Sequence, residues 1–402
     1  MAEASDNQRV VSARVSRPAD RIGALPDDVL RRVLSQLSSR EAVHTCLLAQ
    51  RWRDLWRSVP IIDVSFEEFE DRAAEDNFER EVMFKKFVNR LLMLRNPVGL
   101  DEFRLEYILT VGTEDLNASS ADANLWISHV LQWNARAVKV VNRDNPLELI
   151  PAVFNSSYLK RLDISDATLV PGFFNRLQMG CTALEYLFLH DCVIEDLDIF
   201  SSTLKVLILS LEIRFSFDDD DQASISAPSL ISLSIKHGLS GARLPILNNM
   251  QSLKTASVLL SGDIRACDAD GIRQFLRGLS HVTSLDFCYA DTKLTMEKNF
   301  CWCPTFCNLI NLTLDTWCVN ADFYALIVFL QNSPSLKKLN LKLEQGSVSA
   351  ISGELEDRSF TCEQLEIVEI ICSETSELLP RVTRFLRDSG IRLDQIHTSH
   401  EN

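Results

Sequence analysis

Apolar residues recur along residues 100–370 in a single spacing, apolar-x-x-apolar-x-apolar. On a short strand the second and third apolar positions point to the same side, so they are expected in a core while the residues between them face the other way. From the second copy onward, the starts lie 20 to 29 residues apart. The eleven copies start at Leu100, Ala135, Leu159, Leu184, Leu204, Leu230, Leu253, Val282, Leu309, Leu336 and Leu365.

Several segments between these copies predict helices, namely residues 122–136, 268–282 and 320–336. The last segment carries the i, i+3, i+4, i+7 stripe of a helix that packs on one side, made by Phe323, Leu326, Ile327 and Leu330. Units of this length and content are typical of leucine-rich repeats. Stacked units give a curved solenoid with its strands on the concave face. An ordinary α/β domain with several buried strands is the alternative.

The N-terminal residues 20–60 combine three short helical patterns with two tryptophans. The first predicted helix covers residues 27–37 and follows Pro26, whose missing N–H costs little at a helix start. Some forty residues make a poor core alone. The excess of apolar surface therefore predicts an interface with a partner.

The second predicted helix begins at a capping box, in which Ser38 accepts from the Glu41 amide while the Glu41 side chain reaches back. A third helix is predicted from Arg51. Part of the apolar surface is expected in this region's own core, particularly Val33, Val43 and Cys46.

The stretches LPDDVLRRVLSQL and EAVHTCLLAQRWRDLW resemble the F-box. The region that contains them is similar to the plant F-box group that also has leucine-rich repeats. The resemblance implies docking onto the Skp-type adaptor of a cullin–RING ubiquitin ligase. Ser38 stands where the family often has Pro, and Ala49-Gln50 replaces a frequent Ser-Lys, departures that we expect to tune docking. The implied adaptor contacts are Leu25, Pro26, Leu30, Leu34, Leu37, Val43, Leu47, Trp52 and Trp56.

The C-terminal segment from residue 362 resembles the FBD module of plant F-box proteins and is expected to cap the last repeat. A strand at 365–371 is followed by an amphipathic helix with Leu378, Leu379, Val382, Phe385 and Leu386. The predicted fold is therefore α/β, a three-helix F-box followed by a leucine-rich-repeat solenoid with its strands on the concave face. The predicted parts are a disordered lead-in (1–19), the F-box (20–60), a connecting segment (61–82), the solenoid (83–361) and the last repeat with its cap (362–402).

Charge and hydropathy narrow the classes of partner. The chain of 402 residues has a formal charge of −15, divided into +3 for residues 1–60 and −18 for the rest. An acidic body argues against binding to a phosphate backbone, so no nucleic-acid partner is expected. The apolar runs are too short for a membrane helix, and the polar N-terminus does not resemble a secretory signal.

The candidate chemistry is sparse. Eleven cysteines at irregular spacings favour reduced thiols, since no secretory signal is visible. The tightest cluster, Cys301, Cys303 and Cys307, has no second pair or histidines nearby, so we expect no metal site. No catalytic motif is present in the sequence. The expected protein is therefore not an enzyme and has no cofactor.

Two neighbouring copies of the repeat place aromatic and aliphatic residues on the outward side of their strands. These residues predict a binding surface for a protein substrate and are Tyr186, Phe188, His190, Val206 and Ile208. The resulting hypothesis is a substrate-recognition subunit in the cytoplasm, the nucleus or both, which brings a substrate close to the charged ubiquitin carrier. The alternatives are a small-molecule sensor whose ligand completes the substrate surface, and an adaptor-bound scaffold that never ubiquitinates.

Overall fold

A computed structural model describes residues 22–69, 77–107, 116–143, 146–211, 222–239, 244–262, 269–289, 303–343, 360, 364–373 and 376–400. The predicted lead-in at 1–19 and one member of the cysteine cluster, Cys301, lie outside these residues. The described chain is a mixed α/β structure in which a region of short helices, residues 22–60, precedes a long parallel sheet. We call residues 22–60 the N-terminal helical region.

The N-terminal helical region contains two α-helices, α1 (Asp27–Leu34) and α2 (Ser39–His44), and three short 3-10 helices at Thr45–Leu47, Gln50–Trp52 and Leu55–Ser58. The helix predicted from Arg51 is not continuous in the structure, which has two separate 3-10 helices over this segment. Ala49 is extended, with φ −160° and ψ 158°, so the chain leaves the helical path before that segment. Asp54, with φ −116°, then separates the last two 3-10 turns. Helix α1 also ends at Leu34, three residues earlier than predicted.

The remaining elements alternate strands with helices and with shorter strands. Further 3-10 helices lie at Phe66–Phe69, Pro151–Val153, Thr316–Val319 and Leu393–Gln395. The helices are α3 (Asn77–Leu94), α4 (Leu116–Gln132), α5 (Phe173–Gly180), α6 (Ala269–Gly278), α7 (Asn320–Gln331) and α8 (Leu378–Asp388). The strands are β1 (Ile61–Ser65), β2 (Glu102–Glu106), β3 (Ala137–Val141), β4 (Leu147–Leu149), β5 (Arg161–Ser165), β6 (Ala167–Leu169), β7 (Tyr186–His190), β8 (Val193–Ile194), β9 (Asp198–Phe200), β10 (Val206–Leu211), β11 (Ser224–Ser226), β12 (Ser232–Leu239), β13 (Ile246–Asn248), β14 (Thr255–Gly262), β15 (Ser284–Tyr289), β16 (Asn311–Asp315), β17 (Lys338–Leu343), β18 (Ile367–Cys372) and β19 (Ile396–His400).

Thirteen strands form one sheet in the order β1-β2-β3-β5-β7-β10-β12-β14-β15-β16-β17-β18-β19, and every neighbouring pair is parallel. The eleven strands predicted from the apolar spacing are confirmed as β2, β3, β5, β7, β10, β12 and β14 to β18. The shorter strands form two smaller parallel sheets in the orders β4-β6-β8 and β9-β11-β13. The segment predicted as a connection at 61–82 contains β1, so the sheet begins inside it.

The core is continuous along the sheet. Each repeat buries its apolar positions in the same register, so that Leu187 on β7 pairs with Leu162 on β5 and Leu207 on β10, all with no exposed surface. One helix differs from its prediction, because residues 323–330 of α7 are all buried rather than buried on one side. Phe329, which lies outside the predicted stripe, packs among Phe287, Phe306 and Trp317, while Phe385 of α8 stacks on Phe323 of the stripe with ring centroids 4.1 Å apart.

Candidate functional site

The start of α1 is held by an arginine from later in the chain. The Arg51 guanidinium donates to the carbonyl oxygens of Gly23 and Leu25 and forms an ion pair of 2.8 Å with Asp27. Pro26 precedes the helix as predicted, in an extended conformation. Asp27 and Asp28 in the first turn complement the positive end of the helix dipole. The loop before α1 is therefore fixed by side-chain contacts.

The predicted capping box at the start of α2 is confirmed. The Ser38 hydroxyl accepts from the Glu41 amide at 3.2 Å, and the Glu41 carboxylate accepts from the Ser38 amide. The same hydroxyl donates to the Glu68 carboxylate at 2.9 Å. Burial raises the pKa of Glu68, and this hydrogen bond from Ser38 partly offsets that rise. Ser38 thus ties the N-terminal helical region to the segment after β1.

The N-terminal helical region has a small core of its own. Its buried members are Leu30, Leu34, Ala42, Trp52, Leu55 and Val59, with Leu25, Leu37 and Trp56 partly buried against them. Leu30 and Leu34 are 0% and 1% exposed, and they have no surface to offer a partner in this conformation. Three residues predicted to contact an adaptor, Leu30, Leu34 and Trp52, therefore lie in this core.

Other apolar residues of the same region are exposed. Val29 and Val33 lie 42% and 46% exposed on α1, and Leu47 and Leu48 are 83% and 73% exposed after α2. We call these four residues the exposed apolar set. Val33 is exposed, so its prediction as a core residue is wrong. Successive positions of a helix are about 100° apart, so Leu30 and Leu34 face inward while Val29 and Val33 lie on the adjacent stripe.

Sequence reasoning missed Val29, Val33 and Leu48 as exposed positions. The signal was present, because the apolar stripe of α1 spans two adjacent i, i+4 rows and the region has too few residues to cover both. Among the predicted contacts with accessible surface, Leu25, Leu37, Val43 and Trp56 are half-buried and Pro26 is exposed. Their contact with an adaptor stays a prediction.

The second candidate surface lies on the polar side of the parallel sheet. The five residues predicted there occupy adjacent strands, with Tyr186 opposite Val206 and Phe188 opposite Ile208, and His190 beside Ser210. Tyr186 is 36% exposed and the other four are half-buried. The structure therefore brings all five together on one accessible face, and their contact with a substrate stays a prediction.

One carboxylate sits unusually deep beside these residues. Asp163 on β5 lies opposite Phe188 in the register and is only 7% exposed. Its Oδ2 is 3.5 Å from the Arg161 guanidinium, and its Oδ1 is 3.9 Å from Nε2 of His190. The Arg161 guanidinium in turn lies over the Phe188 ring, 4.6 Å from its centroid. The apolar spacing alone does not predict this burial.

A second polar cluster lies further along the same face. Lys342 on β17 is 3.4 Å from the Asp286 carboxylate on β15, and the Cys288 thiol donates to the same carboxylate. Burial raises the pKa of the Cys288 thiol, and the Asp286 hydrogen bond raises it further. Between these strands Asn340 donates to the Thr313 hydroxyl. Lys342, Cys288 and Asp286 thus satisfy one another, as in a structural network, whereas the buried Oδ1 of Asn340 has no hydrogen-bond partner among the described residues.

The described part of the chain has neither a candidate metal cluster nor a membrane-spanning helix. There, no group of three or more His, Cys, Asp or Glu side chains is arranged to hold a metal ion. Of the cysteine cluster, Cys303 is buried and Cys307 is exposed, and both are unpaired. Among the described helices none combines the length and apolar character that crossing a membrane requires.

Comparisons with known proteins agree with this geometry. Residues 22–63 match the F-box domain family. An FBD-associated F-box protein of Arabidopsis thaliana is 26% identical over 96% of this chain and 91% of its own length. An F-box/FBD/LRR-repeat protein and an F-box/LRR-repeat protein of the same plant are each 26% identical, over 88% and 80% of this chain and 83% and 69% of their own lengths. The chain therefore has an F-box domain at its N-terminus, and its homologues are F-box proteins with FBD and leucine-rich-repeat segments, which confirms the predicted resemblance.

Proposed function

We propose that this chain is the substrate-recognition subunit of a cullin–RING ubiquitin ligase of the SCF type. The F-box docks onto a Skp-type adaptor, and through it onto a cullin, while the sheet captures a protein substrate. The observation that carries the proposal is the F-box match at residues 22–63 together with the exposed apolar set on that domain. F-box and F-box/LRR-repeat homologues suggest the adaptor role in general terms.

The adaptor surface is assigned by exposure. Val29, Val33, Leu47 and Leu48 offer apolar surface that the small F-box core leaves uncovered. Leu25, Pro26, Leu37, Val43 and Trp56 extend this surface, whereas Leu30, Leu34 and Trp52 support it from inside. Exposed apolar patches of folded proteins commonly mark interaction sites. Burial of these side chains against an adaptor is the physical source of the proposed affinity.

The remainder of the chain supports capture rather than chemistry. We infer that the eleven repeats and their flanking strands form a leucine-rich-repeat solenoid, with the polar side of the sheet as its concave wall and the FBD-like segment as its cap. The single register of the parallel sheet and the repeat spacing of 20 to 29 residues support this inference. Such a subunit contributes no catalytic group and acts by proximity. We place its action in the cytoplasm, the nucleus or both.

The adaptor assignment is tested by co-purification of the full chain with a Skp-type adaptor from Arabidopsis thaliana. Changing Val33→Asp together with Leu47→Asp introduces two charges into the proposed interface, and we expect binding to fall at least about a hundredfold because buried unpaired charges are costly. Both positions are exposed, so the fold is expected to remain intact.

A matched control places the same substitution outside the F-box. Met179→Asp changes a residue on α5 that is 68% exposed, and it should leave adaptor binding unchanged. Wild-type-like adaptor binding by the double variant would refute the interface. A second readout is ubiquitination of the chain itself in a reconstituted cullin complex. Adaptor binding without any such transfer would instead favour a non-ubiquitinating scaffold.

A further inference from the structure

The buried carboxylate of Asp163 has an unused hydrogen-bonding capacity. Within the described chain its Oδ1 has no hydrogen-bond partner, and Nε2 of His190 lies 3.9 Å away. A buried carboxylate oxygen without a donor is costly, and native structures rarely retain one without a reason. Asp163 lies on the substrate side of the sheet, directly opposite Phe188. A donor brought by a partner would satisfy it.

The side chain that covers Asp163 shows which chemistry fits there. Arg161 places a guanidinium 4.6 Å from the centroid of Phe188 and 3.5 Å from Oδ2 of Asp163, although its own side chain is 54% exposed. A guanidinium between an aromatic face and a carboxylate is a favoured arrangement for arginine. At 3.5 Å its hydrogen bond to Asp163 is long. A better-placed cation from a partner could therefore displace it.

The surroundings of Asp163 favour a cation flanked by an apolar residue. Tyr186 on the neighbouring strand β7, and Val206 and Ile208 on β10 beyond it, provide accessible apolar surface. The body outside residues 1–60 carries a net charge of −18, which attracts basic segments. Lys139 lies opposite Asp163 on β3 and opposes this attraction, but it is exposed and can turn towards solvent.

We propose that Asp163, Phe188 and Ile208 bind an arginine or lysine side chain of the protein substrate, and that Arg161 occupies this position in the free protein. The inference rests on the proposed function, because it names the class of segment that the receptor captures. The substrate segment carries a basic residue next to an apolar one, with the apolar side chain against Tyr186 and Val206.

The test measures direct binding of synthetic peptides to the full chain by fluorescence anisotropy. The peptides are eight residues long, randomised except for one central position fixed as Arg, Lys, citrulline, Gln, Glu or Leu, with an apolar residue beside it. We expect the Arg and Lys sets to bind at least about tenfold more tightly than the neutral isostere citrulline, because a charge-assisted hydrogen bond is lost with the charge. Asp163→Asn should abolish this preference.

Two further variants separate the proposal from its opposite. Arg161→Ala removes the guanidinium that occupies the position beside Asp163, so it should tighten binding of the Arg set several-fold. Asp286→Asn on the second polar cluster should leave peptide binding unchanged. Weaker binding of the Arg set by Arg161→Ala, a preference for Glu, or no selectivity among the sets would overturn the proposal. Retained adaptor co-purification in these variants would show that the proposed function stands even if this inference fails.

Discussion

The F-box and the parallel sheet divide their apolar side chains differently between interior and surface. The F-box packs six residues into its own core and leaves Leu47 and Leu48 more than 70% exposed. In the sheet, every apolar position of the repeat spacing is buried in one continuous core, and the opposite face is mainly polar. Accessible aromatic and aliphatic side chains on that face include Tyr186, Phe188, Val206 and Ile208 on β7 and β10, and Ile367 on β18.

This difference indicates two kinds of recognition. A domain of about forty residues cannot bury all its apolar surface, so the F-box retains a surface that a partner can complete. The sheet has no such excess, and the recognition that we propose for it depends on a few side chains such as Asp163 and Phe188. The F-box is in turn held by polar contacts, including Arg51 to Asp27 and Ser38 to Glu68. Substitutions in the two regions should therefore differ in how strongly and how widely they destabilise the protein.

The largest effect is expected in the continuous core. Phe287 on β15 is 2% exposed, and its ring lies 5.7 Å from Trp317 and 5.9 Å from Phe329 between ring centroids. Phe287→Ala should lower the free energy of unfolding by about 3–5 kcal/mol, because the cavity cannot collapse among rigid aromatic neighbours. Urea denaturation followed by circular dichroism measures this loss. Phe200→Ala, at a site that is 50% exposed, is the matched control and should cost about 1 kcal/mol or less. Equal losses in both variants would contradict a continuous core.

A smaller and more local effect is expected in the F-box. Leu34→Ala removes a fully buried side chain from a core of only six residues, at a cost of about 2–4 kcal/mol. Because this core meets that of the sheet at Trp56, whereas β5 and β7 are the fourth and fifth strands counted from β1, we expect faster amide hydrogen exchange in α1 and α2 and unchanged exchange in β5 and β7. Hydrogen-exchange mass spectrometry resolves the two. Equal loss of protection in both regions would show that they unfold as one unit.

The sheet was predictable from sequence because its signal is repeated. Each copy of the spacing places residues such as Leu187 and Leu189 two apart on one strand, and errors in one copy are corrected by its neighbours. The flanking strands β1 and β19 lie outside the spacing and were missed. The burial of α7 outside its predicted stripe was also missed, since it depends on contacts of Phe329 with Phe287 and Phe306, which the apolar spacing within the helix does not encode.

The candidate sites were predictable only in part. The residues of β7 and β10 share a face because alternation along a strand is a local property. The depth of Asp163 and the placement of Arg161 over Phe188 depend on side-chain packing across strands, which the spacing does not encode. On α1, the sequence does not say which of two adjacent apolar rows faces inward. The position of Trp52 and Leu55 decides it.

The smallest effect concerns the link between the two regions. Ser38→Ala removes the helix cap of α2 and the donor to Glu68, and we expect a loss of about 1–2 kcal/mol at neutral pH. Burial raises the pKa of Glu68 above 4.5 in the folded protein, so wild-type stability falls as pH rises through that pKa. Without the Ser38 hydroxyl the pKa rises further. The cost of the substitution should therefore shrink when the pH is lowered to about 4, where Glu68 is largely protonated.

Urea denaturation at both pH values measures the change, with the exposed Ser252→Ala as control. A cost that is equal at both pH values would assign the whole effect to the helix cap and none to Glu68.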